Sequence, residues 1–327
     1  MDTKLIVSAS PHLRSEETTA GLMANVIVAL TPCVVASAII FGLRALLVTA
    51  VSVVACVAFE WLYCKLMKKP CKTYDLSACV TGVLLAFVCP VTIPYWTIIL
   101  GDAFAILLVK MLFGGLGKNI VNPALAGRAF MFSWPVLMSN WVKVGFENAA
   151  GLISSADAVT AATPLANLHQ GVMCTESTAA LFLGNVGGCL GETSALLLLI
   201  GFAYLLIRKV ISARIPVTYI LTVAVLTFLF PRGNDRIAWM AAQVFGGGLM
   251  LGAIFMATDY VTSPVTHLGQ IVYAIGCGVL TVMIRYFGGY NEGVSYAILC
   301  MNACTVLLDK IGHPVKFGAP KKEAAKK

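Results

Sequence analysis

Ten apolar runs, near 22–42, 45–66, 76–91, 94–113, 124–141, 193–207, 216–230, 237–257, 268–284 and 292–308, take up most of the chain. Crossing a hydrocarbon core roughly 30 Å thick takes about 20 mainly apolar residues, so runs of this size and number predict an all-α polytopic membrane protein of about ten transmembrane helices. With 59% hydrophobic and only 12% charged residues among 327, and a mean hydropathy of +0.88, no sizeable soluble domain is left over. Disorder, collagen, coiled coil and a small disulfide scaffold are excluded on the same grounds. The 29 glycines suit close helix contacts in lipid. The N-terminal stretch has no short apolar core followed by a small-residue cleavage site, so the first run is read as its own insertion signal. Pro90, Pro94, Pro135 and the stretch GGLGKNIVNPALAG predict bent or broken helices around the third to fifth runs.

Lys and Arg orient such a chain, because short cytoplasmic loops carry the excess of positive charge. A cytoplasmic N-terminus places 18 of the 23 on the inner side, Arg128 among them, and leaves Arg44, Lys143, Arg232, Arg236 and Arg285 outside. An even number of spans returns the C-terminus to the cytoplasm. The net charge of +8 is then topology plus attraction to anionic lipid, and calls for no nucleic-acid partner. The resulting division is a first membrane repeat over 1–141, an extracytoplasmic loop over 142–192, a second membrane repeat over 193–309 and a basic cytoplasmic tail over 310–327.

Two internal echoes support the repeat. Lys110-Met111-Leu112-Phe113-Gly114-Gly115 ends the fourth run and Arg285-Tyr286-Phe287-Gly288-Gly289 the ninth; Asp75 precedes Val80-Thr81-Gly82 as Asp259 precedes Val261-Thr262-Ser263. The Phe-Gly-Gly copies fall on opposite faces, the mark of two inverted five-helix repeats, which commonly frame a site near the bilayer middle.

Ionisable residues at membrane depth are costly and are read first as functional. Glu60 sits in the second run, Asp102 and Lys110 are eight apart in the fourth, and Asp309 closes the tenth. Asp102 and Lys110 are about two helical turns apart, too far for a direct pair but able to face one polar cavity. An ion path through Asp309, Asp102, Lys110 and Glu60 is the functional reading; for Asp309 an ordinary interfacial pair with Lys310 is the other. Of the 11 cysteines most lie in or beside apolar runs and read as small hydrophobes, while Cys174 and Cys189 share the long polar loop and could pair there. No Cys or His spacing makes a metal site, four thiolates for an iron–sulfur cluster are lacking, and no nucleotide-binding or hydrolytic motif occurs.

The long loop holds Asp157-Ala158-Val159-Thr160-Ala161-Ala162-Thr163-Pro164-Leu165. This resembles the Dxx(S/T)GAT flavinylation motif, whose last threonine is joined to FMN through a phosphoester by a flavin transferase acting outside the cytoplasm. Thr163 is the matching acceptor. Thr160 stands at the serine-or-threonine position, Ala162 precedes the acceptor, and Ala161 replaces the usual glycine without removing the hydroxyl. Attachment needs an exposed hydroxyl on an extended segment, and Pro164 biases Thr163 toward β or polyproline geometry. Asp157 would hold the transferase metal or orient the segment; capping of a short helix by Ser155 or Asp157 is the plainer reading.

SPH at Ser10–His12, TGVLLAF at Thr81–Phe87, GGLGKNIVNPALAGRAF at Gly114–Phe130, TDYVTSP at Thr258–Pro264 and RYFGGYNEGVSYAILCMN at Arg285–Asn302 resemble segments of the RnfD component of the Rnf complex and of its relative NqrB in the sodium-pumping NADH:quinone reductase. The resemblance runs from about the tenth residue to Gly318, and the short N-terminal arm favours the Rnf component. It implies a plasma-membrane component of an ion-translocating ferredoxin:NAD⁺ oxidoreductase, moving sodium or protons, with covalent FMN and a non-covalent riboflavin. The implied partners are the other Rnf subunits, including a second FMN-bearing subunit and iron–sulfur subunits. Asn119 and Asn122 are the candidates for riboflavin contacts, the alternative being that they satisfy backbone groups of a broken helix. Two other readings stand beside it: an inverted-repeat channel or secondary transporter, and a structural anchor for soluble redox partners.

Overall fold

The computed structural model describes residues 17–70, 73–138, 141, 163–174, 177–184, 186–192, 194–289 and 292–311. Asp157, Thr160 and Ala162 lie outside the described residues, as does the tail beyond Ile311. The described residues form helices and no strand: α1 Thr19–Phe41, α2 Leu43–Leu66, α3 Ser77–Phe87, α4 Tyr95–Ala103, α5 Pro123–Met131, α6 Pro135–Met138, α7 Pro164–His169, α8 Thr178–Leu183, α9 Ala195–Ile207, α10 Arg214–Leu229, α11 Arg236–Phe245, α12 Leu249–Leu251, α13 His267–Phe287 and α14 Val294–Leu308. Helix α4 runs on as a π-helix over Phe104–Met111, and α12 over Gly252–Met256.

Every expected apolar run carries helix, yet among the described residues only α1, α2 and α13 are long and apolar enough to cross a membrane singly; α11 with α12, bent by 59°, makes a fourth as one broken span. The differences follow from local chemistry. The third run stops after Phe87, before Pro90 and Pro94, leaving an 11-residue helix. The fifth gives nine residues in α5 and a four-residue turn in α6, because Pro135 restarts the chain. Gly246-Gly247-Gly248 breaks the eighth, with Gly247 at φ +69°, open to glycine and strained for other residues.

A half-length helix that ends inside protein must have its last carbonyls satisfied there. The segment 189–191 of the long loop does this for α3: Gly191 N–H donates to Phe87 O (2.9 Å), Leu190 N–H to Cys89 O (3.1 Å) and the Cys189 thiol to Val88 O (3.2 Å). Arg44 donates to Val91 O (2.9 Å) and Thr92 O (3.2 Å) in the irregular stretch that follows. The long loop therefore belongs partly to the core, with Leu165, Leu168, Leu181 and Leu190 buried among the helices. The Cys189 thiol is spent on Val88, and no disulfide joins it to Cys174.

Outward faces of the long helices stay apolar, with Val35, Ile39, Val54, Trp61 and Met283 about half exposed or more, as a lipid-facing surface requires. Inward, small residues let backbones meet. A Cβ at Gly82 of α3 would stand 2.8 Å from Val53 Cα of α2. Gly82→Ala is accordingly expected to destabilise the protein by about 1–3 kcal/mol, while Gly289→Ala, exposed with nothing within 4 Å of the new Cβ, leaves it near wild type; thermal unfolding in detergent compares the two.

Candidate functional site

Two polar regions interrupt the apolar interior. The first is a cleft lined by Ser77, Thr81, Lys110, Asn119, Asn122 and Asp259 among apolar side chains of both halves, with about 740 Å³ of empty space including its mouth. Asn122 starts α5: its Oδ1 accepts from Ala124 N–H (3.0 Å) and Leu125 N–H (3.3 Å), and its Nδ2 donates to Met256 O (3.2 Å). Its polar atoms thus serve the broken helix. Asn119 donates to Val121 O (3.3 Å), while its buried Oδ1 has no hydrogen-bond partner among the described residues. The two Asp echoes end in like local geometry. Asp75 Oδ1 accepts from the Ser77 hydroxyl (2.5 Å) and amide (2.9 Å), and Asp259 Oδ2 accepts from the Thr262 hydroxyl (3.1 Å).

The ionisable residues of the apolar runs divide into separate sites. Lys110 pairs with Glu60 (3.0 Å) and donates to Ser77 Oγ (2.7 Å), all three buried. Asp102 instead accepts from Ser52 Oγ (2.7 Å) and Cys56 Sγ (3.2 Å), and its Oδ2 has no hydrogen-bond partner among the described residues. Ser52, Cys56 and Glu60 sit four residues apart on one face of α2, which explains how one helix serves both. Lys110 lines the cleft and Asp102 does not. The π-helix that starts two residues after Asp102 and carries Lys110 is of the kind often found where function demands an altered register. Asp309 accepts from Val265 N–H (2.8 Å) and Thr266 N–H (3.3 Å), tying the entry of α13 to the end of α14.

The second region surrounds Thr163. Its backbone is extended (φ −67°, ψ 151°), the geometry expected from Pro164, and it caps α7, with Oγ1 accepting from Ala166 N–H (3.3 Å). The side chain is buried rather than exposed, at 8% accessibility, because the loop segment that carries it packs onto the core through Leu165 and Leu168. Thr163 lines a small crevice with Glu192, Glu292, Leu165, Phe245 and Gly247.

Behind that crevice lies an ionic cluster. Arg128 of α5, almost fully buried, is ion-paired to Glu292, lies 3.7 Å from Glu192 Oε1, and donates to Ser295 Oγ (3.0 Å). Arg128 therefore stands level with residues of the long loop and of the start of α14, not apart from them with the inner charges as the charge count placed it. Burial, and next the nearby Glu292, push the Glu192 carboxyl up from its ordinary 4.5 to about 8. Burial likewise holds the Cys189 thiol protonated, as its bond to Val88 O requires.

A family profile described as the NQR2, RnfD, RnfE family matches residues 6–318. The chain belongs to that family. It is 48% identical over 324 residues to the D component of the sodium-translocating ferredoxin:NAD⁺ oxidoreductase complex of Acetobacterium woodii, covering 98% of this chain and 97% of that one. It is 45% identical to the D component of the proton-translocating ferredoxin:NAD⁺ oxidoreductase complex of Clostridium ljungdahlii, with 95% and 96% covered. To the D component of an ion-translocating oxidoreductase complex of Stutzerimonas stutzeri it is 36% identical, with 91% of each covered. The resemblance to RnfD of the Rnf complex is thereby borne out, and these family members are subunits of an oxidoreductase. The cluster of Arg128, Glu192 and Glu292 escapes sequence reasoning although Arg128 and Glu292 lie within two of the segments that carry the resemblance; a buried Arg there looks like a topological charge until its partners are seen.

Two outcomes are expected. Lys110→Met strands a buried carboxylate and costs about 3–5 kcal/mol, whereas Glu60→Gln with Lys110→Met costs far less than the two single changes summed; a double-mutant cycle of denaturation in detergent reads this. The raised Glu192 pKa means that the folded chain binds more protons than the unfolded one between pH 4.5 and about 8. That stability is present in full below pH 4.5 and is lost as pH rises to about 8; melting profiles against pH show the loss, and Glu192→Gln flattens it.

Proposed function

We propose that this chain is the multi-pass membrane subunit of an ion-translocating ferredoxin:NAD⁺ oxidoreductase complex, in which Thr163 carries FMN through a phosphoester. The observation that carries the reading is Thr163 itself: a hydroxyl on extended backbone before a proline, ending a flavinylation-like motif, in a chain of this family. That hydroxyl accepts one hydrogen bond and donates none among the described residues, so its proton is available to a transferase once the cap opens. When bound, the flavin supplies one-electron redox chemistry while the protein supplies placement and charge. Residues lining the cleft, with the unpartnered Asn119 Oδ1 turned to a ligand, are proposed to hold a riboflavin. Lys110 sits in the cleft wall, neutralised by Glu60.

The chain is assigned ten spans in two inverted repeats, both termini in the cytoplasm and Thr163 outside. The broken helices α3, α5 and α11–α12 support this, since interrupted spans lining a central site are how inverted-repeat membrane proteins are built. Its partners are the other subunits of the complex, a second FMN-bearing subunit and iron–sulfur subunits among them, and a flavin transferase loads it. Asp102, Glu60, Lys110 and Asp309 are kept as ion-path residues, Asp102 foremost because its carboxylate has no cation among the described residues. The sodium- and proton-named relatives, 48% and 45% identical to this chain, are nearly equally similar to it, so overall similarity does not choose the ion.

Co-expression with a flavin transferase should give a band that fluoresces on a denaturing gel, with an FMN-sized mass on the peptide holding Thr163. Thr163→Ala should abolish both and leave the fold intact. Flavin persisting in that variant moves the attachment elsewhere, Thr160 first; an unmodified loop despite active transferase favours the transporter reading.

A further inference from the structure

The Arg128 cluster is one positive charge short. One buried guanidinium faces two carboxylates, and one oxygen of each lies within 4.8 Å of the other and of Cys189 Sγ. Glu192 is only 6% exposed, yet its Oε1 makes no hydrogen bond among the described residues, and the side chain opens on the crevice shared with Thr163. Space for that oxygen is kept by the helix break: a Cβ at Gly248 would meet Glu192 Oε1 at 2.7 Å. A single monovalent cation between the carboxylates would make the cluster neutral. A metal ion suits the place poorly, since the third donor is a thiol bonded elsewhere and hard cations prefer oxygen. A proton needs only the two oxygens.

We propose that Glu192 and Glu292, seated on Arg128, form a proton-binding site that holds one shared proton and whose occupancy follows the charge carried at Thr163. The second half of this statement rests on the flavin reading above; the first does not. No bond other than O–H is made or broken: when negative charge is added at Thr163, the carboxylate pair takes up one proton from the bulk solvent, and it returns there when that charge leaves. Around Glu192 the titratable and charged groups are Arg128 from α5, Cys89 after α3, Cys189 beside it, Glu292 before α14, and Arg285 of α13 behind Gly247. Arg285 is buried against Gln243 O and Oε1 and Gly246 O, with no carboxylate in hydrogen-bond reach among the described residues. Its positive charge holds the shared proton less firmly than the pair alone would, which keeps the site within reach of a change at Thr163. The raised Glu192 pKa agrees with this geometry.

The test is infrared spectroscopy of the full-length, unflavinylated chain in detergent, titrated with pH, with ¹³C-labelled glutamate to mark the band. Wild-type protein should show a protonated glutamate that titrates near pH 8. Glu192→Gln and Glu292→Gln should each abolish it; the isotope label separates the band from every aspartate, and Glu60→Gln, which should leave the band in place, separates it from the other buried glutamate, so the assignment stands even where one of the first two variants fails to fold. Thr163→Asp, which adds one negative charge with no flavin, should raise the midpoint by about one pH unit, a tenfold gain in proton affinity, whereas Ser177→Asp on the exposed α8 cap should not. Absence of a protonated glutamate, or its displacement by sodium at fixed pH, overturns the proton site. An unmoved midpoint in Thr163→Asp overturns the coupling. Failure of the flavin reading shows separately, as a chain left unmodified by active transferase.

Discussion

A helix that ends inside a membrane protein leaves carbonyls that no water can reach, and the arrangement of this molecule follows from how those ends are met. Helix α3 stops at Phe87, and its carbonyls are taken by residues 189–191 of a distant loop. That docking carries Glu192 to the far wall of α5, where Arg128 waits. It also draws Leu165, Leu181 and Thr163 against the same core. The proposed flavin-acceptor threonine and the charged cluster are neighbours because one short helix needed its end satisfied.

Electrostatics then distributes the rest. Each buried cation among Lys110 and Arg128 meets a carboxylate of another element, so neither bears the full cost of an isolated charge. Asp75, Asp102 and Arg285 are the exceptions, held by neutral donors and acceptors. Buried charge without a counter-charge is costly, and these three are the places where the fold bears that cost.

Much of this was legible in the chain. Each apolar run holds a helix, Pro164 gave Thr163 its extended backbone, and the Gly-rich break put Asn119 and Asn122 at one cleft, although α8 falls inside the stretch read as a polar loop. Burial of Thr163 was not legible, because the loop's leucines become core only when α3 supplies a surface. Nor were the ion pairs: reasoning along one helix gave Asp102 and Lys110 one polar cavity, whereas Lys110 lines the cleft and takes its partner from α2, and Asp102 takes Ser52 and Cys56 away from it. Periodicity reports which face of a helix is apolar and nothing about which neighbour it meets. The motif resemblance supplied what periodicity lacked for Thr163, but assigned no role to Arg128.

The pairing of Arg128 also sets an order of events while the chain is made. Glu292 follows Arg128 by 164 residues, so a guanidinium inserted with the fifth run has no carboxylate from the last until nearly all of the chain has left the ribosome. The first half can be threaded into the bilayer early, but it reaches its final packing only when the second half arrives. Closure between the two halves therefore completes the cluster: a chain ending before Glu292 leaves buried Arg128 with Glu192 as its one carboxylate partner among the described residues.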